Sequence, residues 1–168
     1  MSSCLAIIDV QNGLLNYSSR HVVGRIQKLV KNEKFDHIVA TRFINHDGSP
    51  HDKLIGWRKM MDKKSQTMPA GIAELAEKVF AKDVYSCFTP EFCNFVKKEK
   101  VDTLYFVGID TDCCVLKSAA DAFERGIKPI VVKKCCASHG GKMSHLAGLK
   151  VLSRLTGQGV IREGRENE

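Results

Sequence analysis

Short apolar runs recur along the chain and predict the strands of a buried sheet. The runs contain few polar residues and several β-branched ones, a pattern typical of strands that are covered on both faces. The clearest run is LYFVGI, at positions 104–109. The predicted strands are 5–10, 37–41, 79–82, 104–109, 130–132 and a short sixth at 159–161.

Helical patterns separate these strands. In the first of them, Val22, Ile26 and Leu29 recur at helical spacing. Pro90 begins a later helix, and Gly126 follows the end of another. The predicted helices are 21–31, one that starts at residue 90, 114–125 and 144–155. Strands that alternate with helices predict βαβ units, and therefore an α/β fold with a parallel sheet and right-handed crossovers.

One stretch, 43–71, interrupts this alternation. It contains turn-forming residues such as Gly48 and Pro50, and the single tryptophan, Trp57. Long irregular segments inside compact domains commonly form lids or substrate walls, so we expect this stretch to border a binding site. The polar tail, 162–168, is expected to fray.

Length and composition predict one ordinary domain, 1–168. The chain has 168 residues, of which 43% are hydrophobic and 27% are charged, values typical of globular proteins. No apolar run approaches the roughly 20 residues needed to cross a bilayer. The first apolar stretch follows no basic segment and is interrupted by Asp9, which argues against a signal peptide. We therefore expect a cytoplasmic protein without a membrane partner.

The net charge of +7 raises the question of nucleic-acid binding. A nucleic-acid binder concentrates its basic residues on one face, among aromatic side chains. Here the basic residues alternate with acids, as Lys59 and Lys63 do around Asp62, which is typical of solvated helix faces. We therefore expect no nucleic-acid partner.

Seven cysteines require an interpretation. No pair of them has C-x-x-C spacing, which excludes a zinc ribbon and a thioredoxin motif. The odd number and the expected reducing compartment both predict free thiols, most of them small buried hydrophobic residues. The cysteines stand at positions 4, 87, 93, 113, 114, 135 and 136.

Three reactive side chains stand at predicted strand ends. In an open parallel sheet, ligands bind beyond the carboxyl ends of the strands, where the strand order reverses. Asp9 ends the first strand, Lys82 ends the third, and Cys114 follows the strand at 104–109. Burying a lone carboxylate in an apolar strand is costly without a partner, which favours a functional Asp9.

Cys114 is a better candidate nucleophile than its neighbour Cys113. It lies in the first turn of a predicted helix, where unpaired N–H groups and the helix dipole favour a thiolate, and a nearby Lys82 would lower its pKa further. Asp9 can take the thiol proton and return it to a leaving amine, while the backbone N–H groups of Asp110 and Cys114 hold an oxyanion. From position alone, inert buried thiols are an equally good interpretation.

Several segments resemble the isochorismatase-like cysteine hydrolases, which include nicotinamidases and N-carbamoylsarcosine amidase. The matching segments cover nearly the whole chain in the expected order, and the segment around Cys114 is specific. They are IIDVQ at 7–11, ATR at 40–42, Lys82 with Ser86 and Phe88, GIDTDCCV at 108–115, A-x-D-A-x-x-x-G at 119–126, and Ala137-Ser138 with the downstream His145.

The resemblance implies that Asp9, Lys82 and Cys114 form a catalytic triad. It also implies a three-layer, Rossmann-like α/β fold, with a parallel six-stranded sheet in the order 3-2-1-4-5-6 and helices on both faces. The peptide bond between Ile109 and Asp110 is expected to be cis, so that the Asp110 amide joins that of Cys114. We expect a small-molecule substrate and a homodimer or homotetramer.

Two departures from the family pattern concern the site. Asp110 stands where relatives often have Ala or Thr, and a bulky acid there can narrow the site or disfavour anions. Nicotinamidases bind a metal with D-x-H after the second strand and a later His, whereas this chain has Phe43, Ile44 and Asn45. We therefore expect no metal, no cofactor and a substrate other than nicotinamide. An unrelated metal cluster is the alternative, made of His46, Asp47, His51 and Asp52.

The resemblance and the cysteine together predict a hydrolase that cleaves a C–N bond, amide or ureido, through a thioester on Cys114. Isochorismatases that cleave a vinyl ether can lack this cysteine, so ether hydrolysis is the less favoured reaction. The other alternative is a non-catalytic relative that acts as a thiol redox sensor or binding module, which would need neither Asp9 nor Lys82. The predicted substrate-binding residues are Phe43, Trp57 and Phe88.

Overall fold

Six strands form one sheet in the computed structural model, which describes residues 2–163. All neighbouring strands are parallel, and the strands are arranged in the order 3-2-1-4-5-6, which confirms the predicted fold. The strands are β1 (Ser2–Ile8), β2 (His37–Phe43), β3 (Lys78–Lys82), β4 (Val101–Ile109), β5 (Lys128–Ala137) and β6 (Ile161–Arg162).

Helices cover both faces of this sheet. Within residues 2–163 they are α1 (Val22–Asn32), α2 (Pro50–Ile55), α3 (Lys63–Gln66), α4 (Ala70–Ala73), α5 (Pro90–Lys98), α6 (Leu116–Glu124) and α7 (Lys142–Thr156). The predicted bounds of α1, α6 and α7 lie within two residues of these. A turn of π-helix, Thr111–Val115, precedes α6. None of the described helices is long and apolar enough to cross a membrane.

Alternate side chains of β1 point into two separate halves of the core. Ala6 and Ile8 belong to the half that α5, α6 and α7 cover, whereas Leu5 and Ile7 belong to the half that α1 and α4 cover. All four side chains are fully buried. Burial on both faces explains why this run is continuously apolar in the sequence.

The stretch 43–71 contains three short helices, α2, α3 and α4, where the sequence predicted an irregular segment. Ser49 caps α2 by accepting the N–H of Asp52, and Asp62 caps α3 by accepting the N–H of Ser65. Each helix has six residues or fewer. Segments of this length cannot display a helical hydrophobic period, which is why the pattern missed them.

β5 is much longer than the predicted strand at 130–132. Lys133 and its neighbour Lys134 interrupt the apolar run although both lie within the strand, and Lys133 forms an ion pair with Glu163 at 2.7 Å. The prediction of a frayed tail is wrong for Arg162, which pairs in β6 and contacts the Glu33 carboxylate at 3.0 Å. The rest of that prediction, 164–168, lies outside the described residues.

The backbone at the end of β4 has two unusual features. The peptide bond between Ile109 and Asp110 is cis, as predicted. Gly108, just before it, has a φ of +115°, a region that residues with a Cβ rarely adopt. A Cβ there would lie 2.1 Å from the carbonyl oxygen of Ile8 on the neighbouring β1. Glycine is therefore required where β1 and β4 reach the end of the sheet.

Replacing Gly108 with alanine should lower the free energy of unfolding by about 2–4 kcal/mol, because both the positive φ and the clash with Ile8 oppose a Cβ. Urea denaturation measures this loss. Gly24→Ala is the matched control, because that glycine lies in α1 with nothing within 4 Å of where a Cβ would stand. The control should gain about 0.5–1 kcal/mol. Equal stability of Gly108→Ala and the unmodified protein would contradict this account.

Candidate active site

The carboxyl ends of β1, β3 and β4 bring the three predicted triad residues to one edge of the sheet. β1 and β4 are neighbours at the point where the strand order reverses. Asp9 follows β1 directly, Lys82 is the last residue of β3, and Cys114 lies in the π-turn after β4. The three residues therefore meet at the topological switch point, where open parallel sheets bind ligands.

Lys82 reaches across β2 to contact the other two residues. β3 and β1 are two strands apart, roughly 9–10 Å at the usual strand spacing, so a long side chain is needed here. Lys82 Nζ lies 2.7 Å from Asp9 Oδ2 and 3.5 Å from Cys114 Sγ. The ammonium also donates to the backbone carbonyls of Val84 at 2.8 Å and Tyr85 at 3.2 Å. The side chains of Lys82 and Asp9 are both completely buried.

Thr41 holds the second oxygen of the Asp9 carboxylate. Its hydroxyl donates to Asp9 Oδ1 at 2.6 Å and accepts the Asp9 backbone N–H at 3.2 Å. Thr41 belongs to β2, the strand between those that lead to Asp9 and Lys82. In the sequence it stands out only as the middle residue of the ATR segment, so this positioning role was missed.

The turn that carries Cys114 is held by its own backbone and by α7. The carbonyl of Asp110 accepts the N–H of Val115 at 3.0 Å, the wide i→i+5 spacing of a π-turn, which is frequent at functional sites. His145 of α7 lies with Nδ1 2.7 Å from the hydroxyl oxygen of Thr111, at the start of the turn. Contacts on both sides therefore fix the cysteine relative to the sheet.

Burial raises the pKa of the Cys114 thiol well above its ordinary value. The neighbouring Asp9 carboxylate adds to this effect through its charge and by accepting a hydrogen bond from the thiol, while Lys82 opposes it. Burial alone would lower the pKa of the Lys82 ammonium, but Asp9 and Cys114 shift it upward overall, so the lysine stays charged. The expectation of a lowered thiol pKa is therefore wrong. The cysteine rests as a thiol beside a proton acceptor.

A cavity of about 140 Å³ adjoins Asp9 and Cys114. The structure places Phe43 and Trp57 on its walls, as the sequence predicted, together with other apolar or aromatic side chains. Phe88 is a correction, because it does not line this cavity. The remaining apolar and aromatic lining residues are Leu14, Ile55 and Tyr85.

Phe88 instead packs into the core on the side of the sheet that carries α5. Its ring centre lies 5.3 Å from that of Phe92, and the Arg125 guanidinium lies over its other side at 4.6 Å. Nearness to the end of β3 suggested a place in the pocket, but the chain turns after this strand and directs the ring toward the helices. The sequence does not encode that direction.

Two histidines line the cavity that the sequence did not place there, although it named His51 as a possible metal ligand. His51 packs edge-on against Phe43 and Tyr85, with ring centres 4.9 and 4.8 Å away. Burial, aided by Lys82, lowers its pKa, so its imidazole is neutral. Its Nδ1 is buried and has no hydrogen-bond partner within residues 2–163. The second is His139, whose place in the loop after β5 gave no signal in the sequence.

His139 binds the Asp110 carboxylate twice. Its backbone N–H donates to Oδ1 at 2.7 Å, and its ring Nδ1 lies 2.5 Å from Oδ2. The hydrogen bond that the ring donates to the Asp110 carboxylate raises the pKa of the imidazole. Asp110, which stands where relatives often have a small residue, therefore has the negative charge of its carboxylate compensated by His139.

The metal-binding pattern of nicotinamidases does not fit this chain. Phe43 stands at the carboxylate position, and its ring forms part of the cavity wall. Asn45 stands at the imidazole position, and its amide is fully engaged within the loop. Its Nδ2 donates to the carbonyls of Trp57 and Lys59, both at 2.8 Å, and its Oδ1 accepts the Ser49 hydroxyl at 2.6 Å.

The alternative cluster of metal-type side chains does not converge. Asp47 and Asp52 each form an ion pair with Arg58 at 2.5 Å. His46 contacts Asp83 at 3.1 Å, while the remaining histidine of the set lines the cavity. Asp47, Asp52 and His46 are engaged with these other partners, and within residues 2–163 the four side chains do not form a shared coordination site.

One group of metal-type donors does come together beside the cavity. Ligand atoms of Asp110, Asp112 and Cys113 lie within 4.8 Å of one another. Asp110 is already bound by His139, and burial raises the pKa of the Cys113 thiol to about 12. Because the Asp110 carboxylate is engaged with this histidine, the group is a poor ligand set.

Comparison with known proteins places this chain in a family. The model of the isochorismatase domain matches residues 3–162. The chain belongs to the isochorismatase domain family. A nicotinamidase from Acinetobacter baylyi is 23% identical to it, over 84% of this chain and 85% of that protein.

Solved structures of isochorismatase domain proteins share this fold. N-carbamoylsarcosine amidase from Thermoplasma acidophilum superimposes with a TM-score of 0.83, at 22% identity, over 100% of this chain and 99% of that one. An isochorismatase-like hydrolase from Alkaliphilus metalliredigens has a TM-score of 0.81, at 19% identity, over 93% of each chain. These structures confirm the predicted fold, and the match of the family model confirms the predicted family.

Replacing Asp9 with asparagine should lower the pKa of the Cys114 thiol, because the change removes the charge that opposes the thiolate and leaves Lys82 facing the sulfur. Asparagine keeps an oxygen for the Thr41 hydroxyl. The pKa is measured from the pH dependence of iodoacetamide alkylation, read at Cys114 by peptide mass spectrometry. The exposed Asp36 provides the control, since Asp36→Asn should leave the profile unchanged. If the pKa of the Cys114 thiol is unchanged or raised in Asp9→Asn, then the Asp9 carboxylate is not one of the groups that raise it.

Proposed function

We propose that this protein is a cysteine-dependent hydrolase that cleaves a carbon–nitrogen bond, amide or ureido, of a small molecule through a thioester on Cys114. The observation that carries the proposal is the buried contact of Lys82 with both Asp9 and Cys114 beside a cavity. A nucleophile, a proton acceptor and a fixed cation in mutual contact are suited to acyl transfer.

Proton transfer starts the acylation step. Because the thiol has a raised pKa, it becomes a nucleophile only as Asp9 takes its proton, and Sγ then bonds to the carbonyl carbon of the substrate. Lys82 stays protonated and stabilises whichever neighbour is negative, first the carboxylate and then the forming thiolate. Protonated Asp9 next gives its proton to the departing nitrogen. The C–N bond breaks, an amine or ammonia leaves, and the acyl group remains on Cys114.

The carbonyl oxygen becomes negative during this attack and needs donors. We assign that role to the backbone N–H groups of Asp110, which precedes the π-turn, and of Cys114, which lies within it. Preorganised donors of this kind are worth about 10²–10³-fold in kcat in other acyl-transfer enzymes. Backbone donors do not depend on side-chain identity, so Asp110 can differ from the small residue that is usual in the family.

Hydrolysis of the thioester reverses the proton path. Asp9, again ionised, takes a proton from water, and the resulting hydroxide attacks the thioester carbonyl. The carbon–sulfur bond breaks, the proton on Asp9 returns to Sγ, and the acid product leaves. The triad is then restored without a net change.

A thiol redox sensor explains these observations less well. Sensor cysteines combine an accessible sulfur with a low pKa, whereas Cys114 is buried and its pKa is raised. A sensor also gives no reason to bury Asp9 and Lys82 beside the sulfur. The relatives named nicotinamidase and N-carbamoylsarcosine amidase support C–N hydrolysis in preference to cleavage of an ether.

The substrate must be found by a direct screen. Release of ammonia from a panel of small primary amides and ureido compounds tests the proposed reaction. The small cavity favours compounds well below the size of a typical drug, for which pockets of about 300–1,000 Å³ are usual. Trapping an acyl adduct of Cys114 by mass spectrometry during turnover tests the thioester.

Cys114→Ala and Asp9→Asn should each reduce kcat by about 10⁴-fold or more while leaving the fold intact, because the reaction loses its nucleophile or its proton carrier. Cys113→Ala is the matched control, since it removes the adjacent thiol, and it should matter far less. Circular dichroism verifies that each variant is folded. Normal turnover by Cys114→Ala on a genuine substrate would refute the mechanism.

Dialysis against a chelator should leave the rate unchanged. The reason is that Phe43 and Asn45 occupy the positions where nicotinamidases place metal ligands, and Asn45 is engaged within its loop. Elemental analysis before and after dialysis provides the control. Stoichiometric zinc or iron, with activity that is lost on its removal and regained on its return, would show this prediction to be wrong.

A further inference from the structure

The Asp110–His139 pair lines the cavity but takes no part in the proton transfers proposed above. Both oxygens of the carboxylate bind this one histidine, through its backbone N–H and its Nδ1. Two contacts to one residue fix the orientation of the ring as well as its position. With Nδ1 directed at the carboxylate, Nε2 is the ring nitrogen left for a ligand.

The charged groups around His139 decide the state of its ring. The hydrogen bond and the charge of Asp110 raise the pKa of the imidazole, burial and Lys59 oppose this shift, and Asp112 adds to it. The net effect is upward, which favours the doubly protonated imidazolium. In that state Nδ1–H is held by Asp110, and Nε2–H is a charged donor.

The other charges of the cavity leave this donor without competition. The Asp9 carboxylate is compensated by Lys82 at 2.7 Å, and the lining histidine His51 is neutral. Among the described residues that line the cavity, His139 is therefore the one that offers a charged N–H donor, although Asp110 balances its net charge. The facing walls are apolar or aromatic and offer an anion no alternative partner.

We propose that His139, oriented by Asp110, selects substrates that carry a carboxylate or another anionic oxygen group away from the scissile C–N bond. This inference rests on the proposed function, because it names the substrate class of the same cavity. An acid at position 110 thus favours anions, the reverse of what the sequence suggested. Its negative charge acts on the histidine, and the histidine presents a positive charge to the ligand.

Two alkylating reagents of the same shape test the proposal without a known substrate. Iodoacetate and iodoacetamide both alkylate a cysteine sulfur, and they differ in carrying a carboxylate or a neutral amide. The measured quantity is the ratio of their rate constants at Cys114, read by peptide mass spectrometry at pH 6.5. Because both reagents use the same sulfur, its own reactivity cancels in the ratio.

His139→Gln, which keeps a polar side chain without the charge, should lower the iodoacetate-to-iodoacetamide ratio about tenfold, the usual scale of one charge-assisted hydrogen bond. The exposed His21 supplies the matched control, because His21→Gln removes a histidine outside this cavity and should leave the ratio unchanged. Equal ratios in the unmodified protein and His139→Gln would overturn the proposal. A tenfold fall in His21→Gln would also overturn it, because the effect would then be one of overall charge.

A pH series tests the role of Asp110. The preference for iodoacetate should be present at low pH and disappear as the pH rises through the pKa of His139, because the neutral ring no longer carries a donor at Nε2. Asp110→Asn removes the carboxylate that raises this pKa, so the preference should disappear at a lower pH. A flat profile in the unmodified protein, or the same midpoint in Asp110→Asn, would contradict a positioning role for Asp110.

The substrate screen gives a second measure of the same selection. Succinamate and levulinamide have the same number of non-hydrogen atoms, and the second carries a methyl ketone in place of the carboxylate. Succinamate should have the lower KM with a similar kcat, and His139→Gln should remove the difference in KM. A lower KM for levulinamide would overturn the selection while leaving the cysteine mechanism intact. By contrast, hydrolysis that survives in Cys114→Ala would refute the mechanism.

Discussion

The site is organised around the buried ion pair between Lys82 and Asp9. Removing a carboxylate and an ammonium from water costs several kcal/mol for each ion unless their remaining hydrogen bonds are satisfied. Here the second oxygen of Asp9 binds Thr41, and the other protons of the ammonium face the carbonyls of Val84 and Tyr85. The lysine side chain also spans the intervening strand β2, where its ammonium lies 5.2 Å from the centre of the Phe43 ring. Thr41 of the same strand supplies the hydroxyl that binds the carboxylate.

The same pair determines how a cysteine can be reactive in this fold without being a free thiolate. One cation lies between two acidic groups, and burial together with the Asp9 carboxylate raises the pKa of the Cys114 thiol, so the proton stays on its sulfur. In the proposed mechanism, the thiol therefore reacts only when a carbonyl carbon is close enough to accept the sulfur electron pair as Asp9 takes the proton. Such coupling suits a chain with seven free cysteines, because reactivity depends on the bound substrate and not on exposure of the sulfur.

The sequence predicted features that depend on burial and failed on those that depend on direction. Strands covered on both faces have continuous apolar runs, so β1 and β4 were predicted. In β5 two lysines interrupt the apolar run, so only a short part of that strand was predicted. Phe43 and Phe88 look alike in the sequence, as aromatic residues near strand ends, but one faces the cavity and the other faces α5. His139 reaches the cavity only because the segments after β4 and β5 meet at one edge of the sheet, and no local sequence pattern predicts that.

The register of β4 and β5 explains why Asp110 and His139 belong together. Ile109 lies opposite Ala137, so the segments that follow the two strands must meet at the same edge. A small apolar residue at position 110 would need no polar partner where these two segments meet. An acid there is buried, and a buried carboxylate without a partner is costly, so the acid requires a basic group in the segment after β5. In the proposed mechanism the backbone of Asp110 serves the chemistry of the cysteine, while its side chain orients His139 and favours a charged N–H donor on that ring. On this proposal, one position alters the choice of substrate while the backbone donors of the reaction stay the same.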